Sequence, residues 1–247
     1  MGKVFAILGD IHSNLEALTA VLEDCRAQGV TDYLCTGDIV GYNANPKECL
    51  DLVRGLNCPA VMGNHDYYVS TRQDLSAFNP NAAHVVEWTR KQLSMRDITY
   101  LRTLPFVKTV MGFSIVHSTC DRPESFGYVF DNLQADANFV NQKTAICFHG
   151  HTHCPVIYER SAGSSNAGVS CYDAQDFKIE LGHKFFINVG SVGQPRDGDK
   201  RASYVIFHQQ EKVVRFRRLE YDIESAQRKI LEAGLPERLA MRLVKGQ

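Results

Sequence analysis

The sequence predicts an α/β protein built on sheets whose strands end in polar residues. Short, nearly continuous apolar runs such as 3–8 and 33–36 alternate with helical patterns. Runs of that kind are typical of strands that are covered on both faces. After residue 105 the pattern changes to successive strands, beginning with a hairpin around Met111-Gly112. The first part of the chain therefore predicts a β-α-β-α-β half, and the second part adds further strands.

The composition suits one domain with a sizeable core, which we expect to span residues 1–247. Hydrophobic residues make up 44% of the sequence, and the formal net charge is −1. Such a charge provides no long-range attraction to nucleic acid or to an acidic membrane. No apolar run approaches the roughly 20 residues of a membrane helix. We therefore expect a soluble, cytoplasmic protein without a membrane partner, and the sequence gives no strong indication of nucleic-acid binding.

The eight cysteines favour packing over chemistry. None forms a C-x-x-C pair, and most lie in apolar strand or helix patterns. We expect small buried side chains in a reducing compartment rather than disulfides or a thiolate metal site.

Three successive strand ends in the first part of the chain carry similar polar side chains. The predicted strands 3–8, 33–36 and 59–62 are followed by Asp10-Ile11-His12, Gly37-Asp38 and Gly63-Asn64-His65-Asp66. A single end of this kind is as compatible with an ordinary turn as with a binding role. Three in register predict a ligand site, because open α/β sheets bind ligands at the carboxyl ends of their strands.

Capping patterns place helices between these strands. Ser13 and Glu16 have the form of a capping box before the first helix. Asn45-Pro46 opens the second helix, which we expect to run to about Gly55. Residues 67–104 are more helical and more polar, with Asn79-Pro80 as a cap and first turn. We expect this helical insert to act as a lid or a specificity element.

The second part of the chain brings further histidines to strand ends. His117 ends the predicted strand 113–116, and the run 144–148 ends in His149-Gly150-His151-Thr152-His153. Alternation along an extended segment points His151 and His153 to the same side. The remaining predictions are strands at 156–158, 184–187, 203–207 and 213–219, a polar flexible loop at 161–168, and helices at about 223–233 and 237–244.

Five strand ends together offer enough ligands for two divalent ions that share one carboxylate. The candidate ligands are Asp10, His12, Asp38, Asn64, His117, His151 and His153. Mixed oxygen and imidazole ligation suits manganese, iron, zinc, nickel or cobalt better than magnesium or calcium alone. The sequence therefore predicts a transition-metal centre, and we expect manganese first.

The order of these motifs resembles that of the calcineurin-like metallophosphoesterase superfamily. The motifs are Asp-x-His, Gly-Asp, Gly-Asn-His-Asp, a lone histidine and Gly-His-x-His, and segment 188–197 resembles the closing loop of small bacterial and archaeal members. The resemblance implies a four-layer α-β-β-α sandwich of two mixed sheets flanked by helices, with metals at the carboxyl ends of the strands. Asn43 and Ser118 stand where relatives often have glycine, and neither weakens the metal assignment.

Roles for individual residues follow from the same resemblance. Asp10, His12, Asp38 and His153 would hold one ion, and Asp38 would bridge to a second ion that Asn64, His117 and His151 complete. The implied activity is hydrolysis of phosphomonoesters or phosphodiesters by in-line attack of a metal-bridging hydroxide. His65, with Asp66 behind it, would protonate the leaving alcohol or bind a phosphoryl oxygen.

Other candidates and alternative functions stay open at this point. Arg196 and Arg122 are candidate ligands of a small phosphoester substrate, although loop arginines are more often only solvated. Tyr42 is a candidate stacking residue, and His149 is assigned to packing. The alternative functions are a phosphatase acting on phosphoproteins or dinucleoside polyphosphates, and a metal-bound scaffold without catalysis. Retention of His65 favours the enzyme over the scaffold.

Overall fold

The computed structural model describes residues 2–71, 73, 75, 80–161 and 168–247. The predicted cap at Asn79 and most of the predicted polar loop, 162–167, lie outside the described residues. Within the described ranges, no helix is both long and apolar enough to cross a membrane.

The strands of the described residues form two mixed sheets. Their bounds are β1 Val4–Leu8, β2 Asp32–Cys35, β3 Val107–Val110, β4 Phe113–Val116, β5 Ile146–His149, β6 Val156–Arg160, β7 Val169–Asp173, β8 Phe177–Lys178, β9 Lys184–Asn188, β10 Ala202–His208 and β11 Val213–Leu219. One sheet has the order β2-β1-β10-β11-β8, and the other has the order β3-β4-β5-β9-β6-β7. Parallel and antiparallel pairs occur in both sheets.

Helices flank the sheets and connect the early strands. Their bounds are α1 Leu15–Ala27, α2 Pro46–Gly55, α3 Asn64–Ser70, α4 Pro80–Gln92, α5 Met95–Arg102, α6 Asn132–Asn141, α7 Ile223–Glu232 and α8 Glu237–Lys245. The predicted insert at 67–104 therefore contains most of α3 and all of α4 and α5. The two predicted tail helices correspond to α7 and α8.

Three apolar cores separate four layers. Between the sheets, Phe5 and Ile7 of β1 pack with Phe113 of β4 and Phe148 of β5. The opposite face of β1 packs against α1 and α2. The far side of the second sheet is covered by α6, where Phe139 belongs to the third core. The predicted sandwich of two mixed sheets flanked by helices is confirmed.

Two local predictions about the first part of the chain were wrong. The run 59–62 forms only an isolated parallel bridge, between Ala60 and Cys35 of β2. The Cys35 N–H donates to the Pro59 carbonyl and the Val61 N–H to the Cys35 carbonyl, and the Met62 N–H then donates to the Pro105 carbonyl. Asn14, not Ser13, caps α1 and accepts from the Ala17 N–H at 3.0 Å. A capping residue normally has extended backbone. Ser13 has a left-handed backbone, with φ of +58°, and so does not cap the helix.

The cysteines follow their prediction in part. Cys25, Cys35, Cys49, Cys58 and Cys147 are buried, and all eight are free thiols. Cys171 is exposed on β7, a strand that the sequence pattern did not predict. Four of the five residues of β7 are exposed, and an exposed strand lacks the apolar run on which the prediction depended.

Candidate metal centre

The carboxyl ends of β1, β2, β4 and β5 and the start of α3 meet at one edge of the sandwich. The Asp10 N–H donates to the Gly37 carbonyl, and the Gly150 N–H donates to the His117 carbonyl. Glycine permits this close approach at Gly150, where an added Cβ would lie 2.1 Å from Asp10 Oδ2. Backbone hydrogen bonds therefore join the loops that carry the site residues.

One cluster contains Asp10, His12 and His153, whose ligand atoms all lie within 4.8 Å of one another. The His12 Nδ1 lies 3.2 Å from the Val40 carbonyl, and the His153 Nδ1 lies 2.6 Å from the Gln194 carbonyl. A carbonyl can only accept, so each Nδ1 carries the hydrogen and each Nε2 presents a lone pair. These backbone bonds aim both Nε2 atoms into the cluster.

Those lone pairs face other acceptors. The two Nε2 atoms lie 3.1 Å apart, and the His153 Nε2 lies 3.3 Å from Asp10 Oδ1. When Asp10 is ionised, these three acceptor atoms repel one another, and a shared cation converts that repulsion into attraction. The donor set therefore fits a divalent metal ion that accepts nitrogen and oxygen ligands.

A second cluster contains Asp38, His117 and His151. The His117 Nδ1 lies 2.9 Å from the Thr36 carbonyl, so its Nε2 is again the free acceptor. That Nε2 lies 3.1 Å from Asn64 Oδ1, 3.0 Å from His151 Nδ1 and 3.5 Å from Asp38 Oδ2. Asp38 Oδ2 also lies 3.4 Å from His12 Nε2, so Asp38 lies between the two clusters.

Strained backbone accompanies most of these residues. Left-handed φ values occur at Asp10 (+50°), His12 (+46°), Asp38 (+54°), His151 (+69°) and His153 (+62°). Residues other than glycine rarely adopt this backbone region, and each instance costs about 1–3 kcal/mol. Such strain persists where a binding site requires a particular side-chain direction. Five strained residues in one centre mark it as functional.

Burial determines the protonation of the centre. It raises the pKa of Asp38 to about 8, and it raises the pKa of Asp10 well above the ordinary value, with repulsion from Asp38 adding to the shift. Burial also lowers the pKa of His117 to about 4. Neutral imidazole is the form that binds metals, and a bound cation favours ionised carboxylates over protonated ones.

His65 lies beside the two clusters. Its backbone N–H donates to Asp38 Oδ1 at 2.8 Å, and its ring centroid lies 4.8 Å from that of His12. Its Nδ1 is buried without a hydrogen-bond partner among the described residues. Burial, followed by the positive charge of Arg196, lowers the pKa of His65 to about 3. The resting ring is therefore neutral and retains one N–H to donate.

Asp66 contacts backbone rather than the His65 ring. Its carboxylate accepts from the N–H groups of Ile39 (3.0 Å), Val40 (3.2 Å) and Gly63 (3.2 Å). The expectation that Asp66 lies behind His65 and orients it was wrong. Asp66 occupies the first turn of α3, from which its side chain turns back toward the loop after β2. Asp66 therefore positions the segment that carries Asp38.

The two candidate arginines differ in position. Arg196 donates to Gln194 Oε1 at 2.9 Å, and its guanidinium carbon lies 5.5 Å from the Tyr42 ring centroid. Tyr42 in turn contacts the rings of His12 and His65, at centroid distances of 4.5 and 4.3 Å. Arg122 is exposed, and its ion-pair contact is with Asp121 at 3.8 Å. The structure thus brings Arg196 near the centre and leaves Arg122 on the surface.

Two sets of supporting residues escaped the sequence patterns. Tyr128 stacks on His151 with a centroid distance of 4.2 Å, and Phe130 stacks on Tyr128 at 5.3 Å. In the segment after β9, the Ser191 hydroxyl and the Gly193 N–H both donate to the Asp10 carbonyl. An isolated aromatic or serine in a loop provides no pattern, so only the folded contacts identify these roles.

The sequence assigns His149 to packing, and its ring packs against Phe186. Its ring stacks on Phe186 with a centroid distance of 3.8 Å and an interplanar angle of 7°. It belongs to none of the candidate metal clusters of the described residues.

A strand-edge centre of neutral imidazoles and buried carboxylates fits divalent metal ions. The chain belongs to the calcineurin-like phosphoesterase superfamily, whose domain profile matches residues 4–212. It is therefore a metal-dependent phosphoesterase, with divalent metal ions as cofactors and phosphoesters as substrates.

Comparisons along the whole chain agree with this assignment. An uncharacterised protein of Methanocaldococcus jannaschii is 38% identical over 249 residues, which cover 99% of each chain. A metallophosphoesterase of Sphaerobacter thermophilus is 40% identical, with a TM-score of 0.88 and 100% of each chain covered. A hypothetical protein of Pyrococcus horikoshii is 20% identical, with a TM-score of 0.78, 99% of this chain and 98% of the other covered. This last likeness shows the fold alone.

Proposed function

We propose that the protein is a dinuclear phosphoesterase that hydrolyses small phosphomonoesters or phosphodiesters. One ion would be held by Asp10, His12, Asp38 and His153, and the other by Asp38, Asn64, His117 and His151. The position of Asp38 between the two clusters is the observation that carries this proposal, since its Oδ2 lies 3.4 and 3.5 Å from a histidine of each. A bridging carboxylate is typical of paired ions.

Manganese is the ion that we propose first. Four imidazoles with carboxylate and amide oxygens form a mixed donor set, which iron, zinc, nickel and cobalt also suit. When bound, the ions would supply Lewis acidity that activates water and neutralises charge on the phosphoryl oxygens.

His65 would act on the substrate directly. Its neutral ring retains one N–H, which supports hydrogen bonding to a phosphoryl or leaving-group oxygen. Approach of a phosphate, which is anionic, favours a protonated ring, so proton donation to a leaving alcohol is the second role. Arg196 would bind a further phosphoryl oxygen, because its guanidinium lies near the centre. Among the described residues, no carboxylate forms an ion pair with it.

The remaining proposals concern the whole chain. We place it in one domain, 1–247, with the segment 67–104 as an insert that shapes the substrate side. Its eight free cysteines, with the Cys120 and Cys147 sulfurs 3.8 Å apart, support a reducing, cytoplasmic compartment.

A substrate and metal panel tests the proposed function. Metal-free protein is given one divalent ion at a time and assayed on alkyl and aryl phosphomonoesters and phosphodiesters. We expect hydrolysis only with metal, and the highest turnover with manganese. Hydrolysis that chelators do not affect, or turnover of no phosphoester with any ion, would overturn the proposal.

A further inference from the structure

A groove beside the proposed active site carries two arginines that form no ion pair with the described carboxylates. It has a volume of about 230 Å³ and lies between α4 and α8, with Tyr42 as its wall toward the metal centre. Val85 of α4 and Leu239 of α8 line its apolar part, and Arg238 and Arg242 line its polar part. The Tyr42 ring lies against those of His12 and His65 in tilted contacts. The groove therefore continues directly from the centre.

The two groove arginines and Arg196 form one electrostatic group. Burial lowers the pKa of Arg242, and the charges of Arg196 and Arg238 act in the same direction, so both of these guanidiniums lie near that of Arg242. Arg242 is half-buried, so water screens this repulsion incompletely. Like charges held together near a cavity are unfavourable unless an anion joins them.

Several other arginines of the described residues pair with acids. Arg54 pairs with Asp97 at 3.0 Å, Arg217 with Asp24 at 2.8 Å, and Arg201 with Asp199 at 2.6 Å. Within the described ranges, no carboxylate forms an ion pair with Arg196, Arg238 or Arg242. Arg238 and Arg242 of the groove and Arg196 beside the metal centre therefore keep their charge available for an anion.

We propose that this groove, called here the arginine groove and defined by Tyr42, Val85, Arg238, Leu239 and Arg242, binds a second phosphoryl group on the leaving side of the substrate. The proposal rests on the proposed function and narrows its substrates to phosphoesters that carry another phosphate. Guanidinium forks match phosphate oxygens bidentately. The apolar side chains of α4 and α8 would contact the carbon skeleton that joins the two phosphates.

Matched substrates test the proposal. Butyl phosphate and butane-1,4-diol bisphosphate share an alkyl leaving oxygen and differ in the distal phosphate, and propane-1,3-diol and hexane-1,6-diol bisphosphates vary the span. For the best span we expect kcat/KM at least about tenfold above that of the monophosphate, through a lower KM, whereas two equivalent ends alone would give about twofold. A ratio near two for every span would overturn the proposal.

Charge removal supplies the second readout. Arg242→Met and Arg238→Met should each lower the ratio of bisphosphate to monophosphate kcat/KM by about fivefold or more. Arg228→Met is the matched control, since Arg228 is an exposed arginine of the neighbouring helix α7 that bonds to Ser225. An unchanged ratio in Arg238→Met and Arg242→Met, or an equal fall in Arg228→Met, would overturn the proposal.

Two further experiments distinguish a phosphate of the substrate from a free anion as the occupant of the arginine groove. Sulfate that raises butyl phosphate turnover in the wild type and not in Arg242→Met would assign the groove to a free anion and overturn the substrate proposal. Calorimetric titration of the metal-free protein with pyrophosphate measures the groove without catalysis, and we expect Arg242→Met to weaken binding about fivefold. If Arg242→Met leaves pyrophosphate binding unchanged, the arginine groove is not a phosphate-binding site. Failure of the loaded enzyme on every phosphoester instead overturns the proposed function.

Discussion

At the scale of single residues, the centre depends on where each imidazole places its hydrogen. Backbone carbonyls of Val40, Thr36 and Gln194 hold the Nδ1 hydrogens of His12, His117 and His153. These bonds use main-chain groups that no substitution removes, so the ring orientation is a property of the loops. The tautomers are thereby prepared for metal ligation before an ion arrives.

His65 should affect catalysis without affecting metal content. His65→Asn removes no proposed ligand atom, because Asn64 supplies the neighbouring one. We expect two ions per chain by elemental analysis and a fall of about 10²-fold or more in alkyl phosphoester turnover. Nitrophenyl esters, whose leaving group needs little protonation, should lose less if His65 donates a proton.

The control for this variant is His84→Asn, which changes an exposed histidine of α4. Equal losses across leaving groups would assign His65 to the phosphoryl oxygens. Full activity in a variant that keeps both ions would remove His65 from the reaction.

Asp38→Asn should weaken metal binding and should stabilise the metal-free protein. The folded pKa of Asp38 is raised to about 8, so its contribution to stability is present at low pH and lost as the pH rises through that value. Asparagine does not ionise. The metal-free variant should therefore exceed the wild type in Tm at pH 8 by more than at pH 5, at about 2–4 °C per kcal/mol.

Asp51→Asn serves as the control, since Asp51 is half-exposed and pairs with Lys47 on α2. Elemental analysis should show that Asp38→Asn retains at most a small fraction of the bound metal. A metal-free Asp38→Asn protein that melts below the wild type at pH 8 would refute the assigned pKa direction.

At the scale of elements, the loop after β2 and the start of α3 are joined by Asp66. Asp66→Ala would leave the N–H groups of Ile39, Val40 and Gly63 without their acceptor. Each buried unsatisfied donor costs about 1–3 kcal/mol, so we expect a loss of at least about 2 kcal/mol in the free energy of unfolding. Denaturant unfolding at constant metal measures it.

Asp66→Asn retains an acceptor oxygen and should lose less stability than Asp66→Ala. If Asp66→Ala unfolds at the wild-type denaturant concentration, the backbone contacts do not hold this segment. If only catalysis changes, Asp66 acts on His65 after all.

The segment after β9 should act on substrate affinity. Arg196→Met removes the guanidinium near Tyr42 and leaves the metal ligands intact, so we expect KM to rise about tenfold with metal content unchanged. Arg201→Met is the matched control, because that arginine is exposed and pairs with Asp199. An unchanged KM on every substrate would assign Arg196 to solvation alone.

The sequence predicted elements whose patterns are local, and it missed those that depend on distant contacts. The runs before Asp10, Asp38 and His117 predicted their strands, and repeated polar residues at those ends predicted a shared site. The run before Asn64 pairs with β2 only at one bridge, and Met62 bonds to Pro105, a contact across 43 residues that no local pattern contains. Tyr128 and Arg242 reach the site by tertiary packing, so neither position has a sequence pattern.

At the scale of the whole molecule, the sandwich isolates the centre from its cores. In the core between the sheets, Phe113 makes edge-to-face contacts with Phe5, Phe148 and Phe207 at centroid distances of 5.2–5.8 Å. The metal centre lies at the edge of these layers, where loops carry the strained backbone. Stability therefore comes from the layers, which can tolerate the 1–3 kcal/mol that each strained residue costs.

Titration of the metal-free protein with manganese tests the paired-ion account as a whole. Alkyl phosphoester hydrolysis is followed against added equivalents of Mn²⁺ at a protein concentration well above the metal Kd. We expect activity to rise to a break at two equivalents per chain, with little turnover before the second ion binds. A break at one equivalent, or full hydrolysis in the metal-free protein, would show that paired ions bridged by Asp38 are not the catalytic centre.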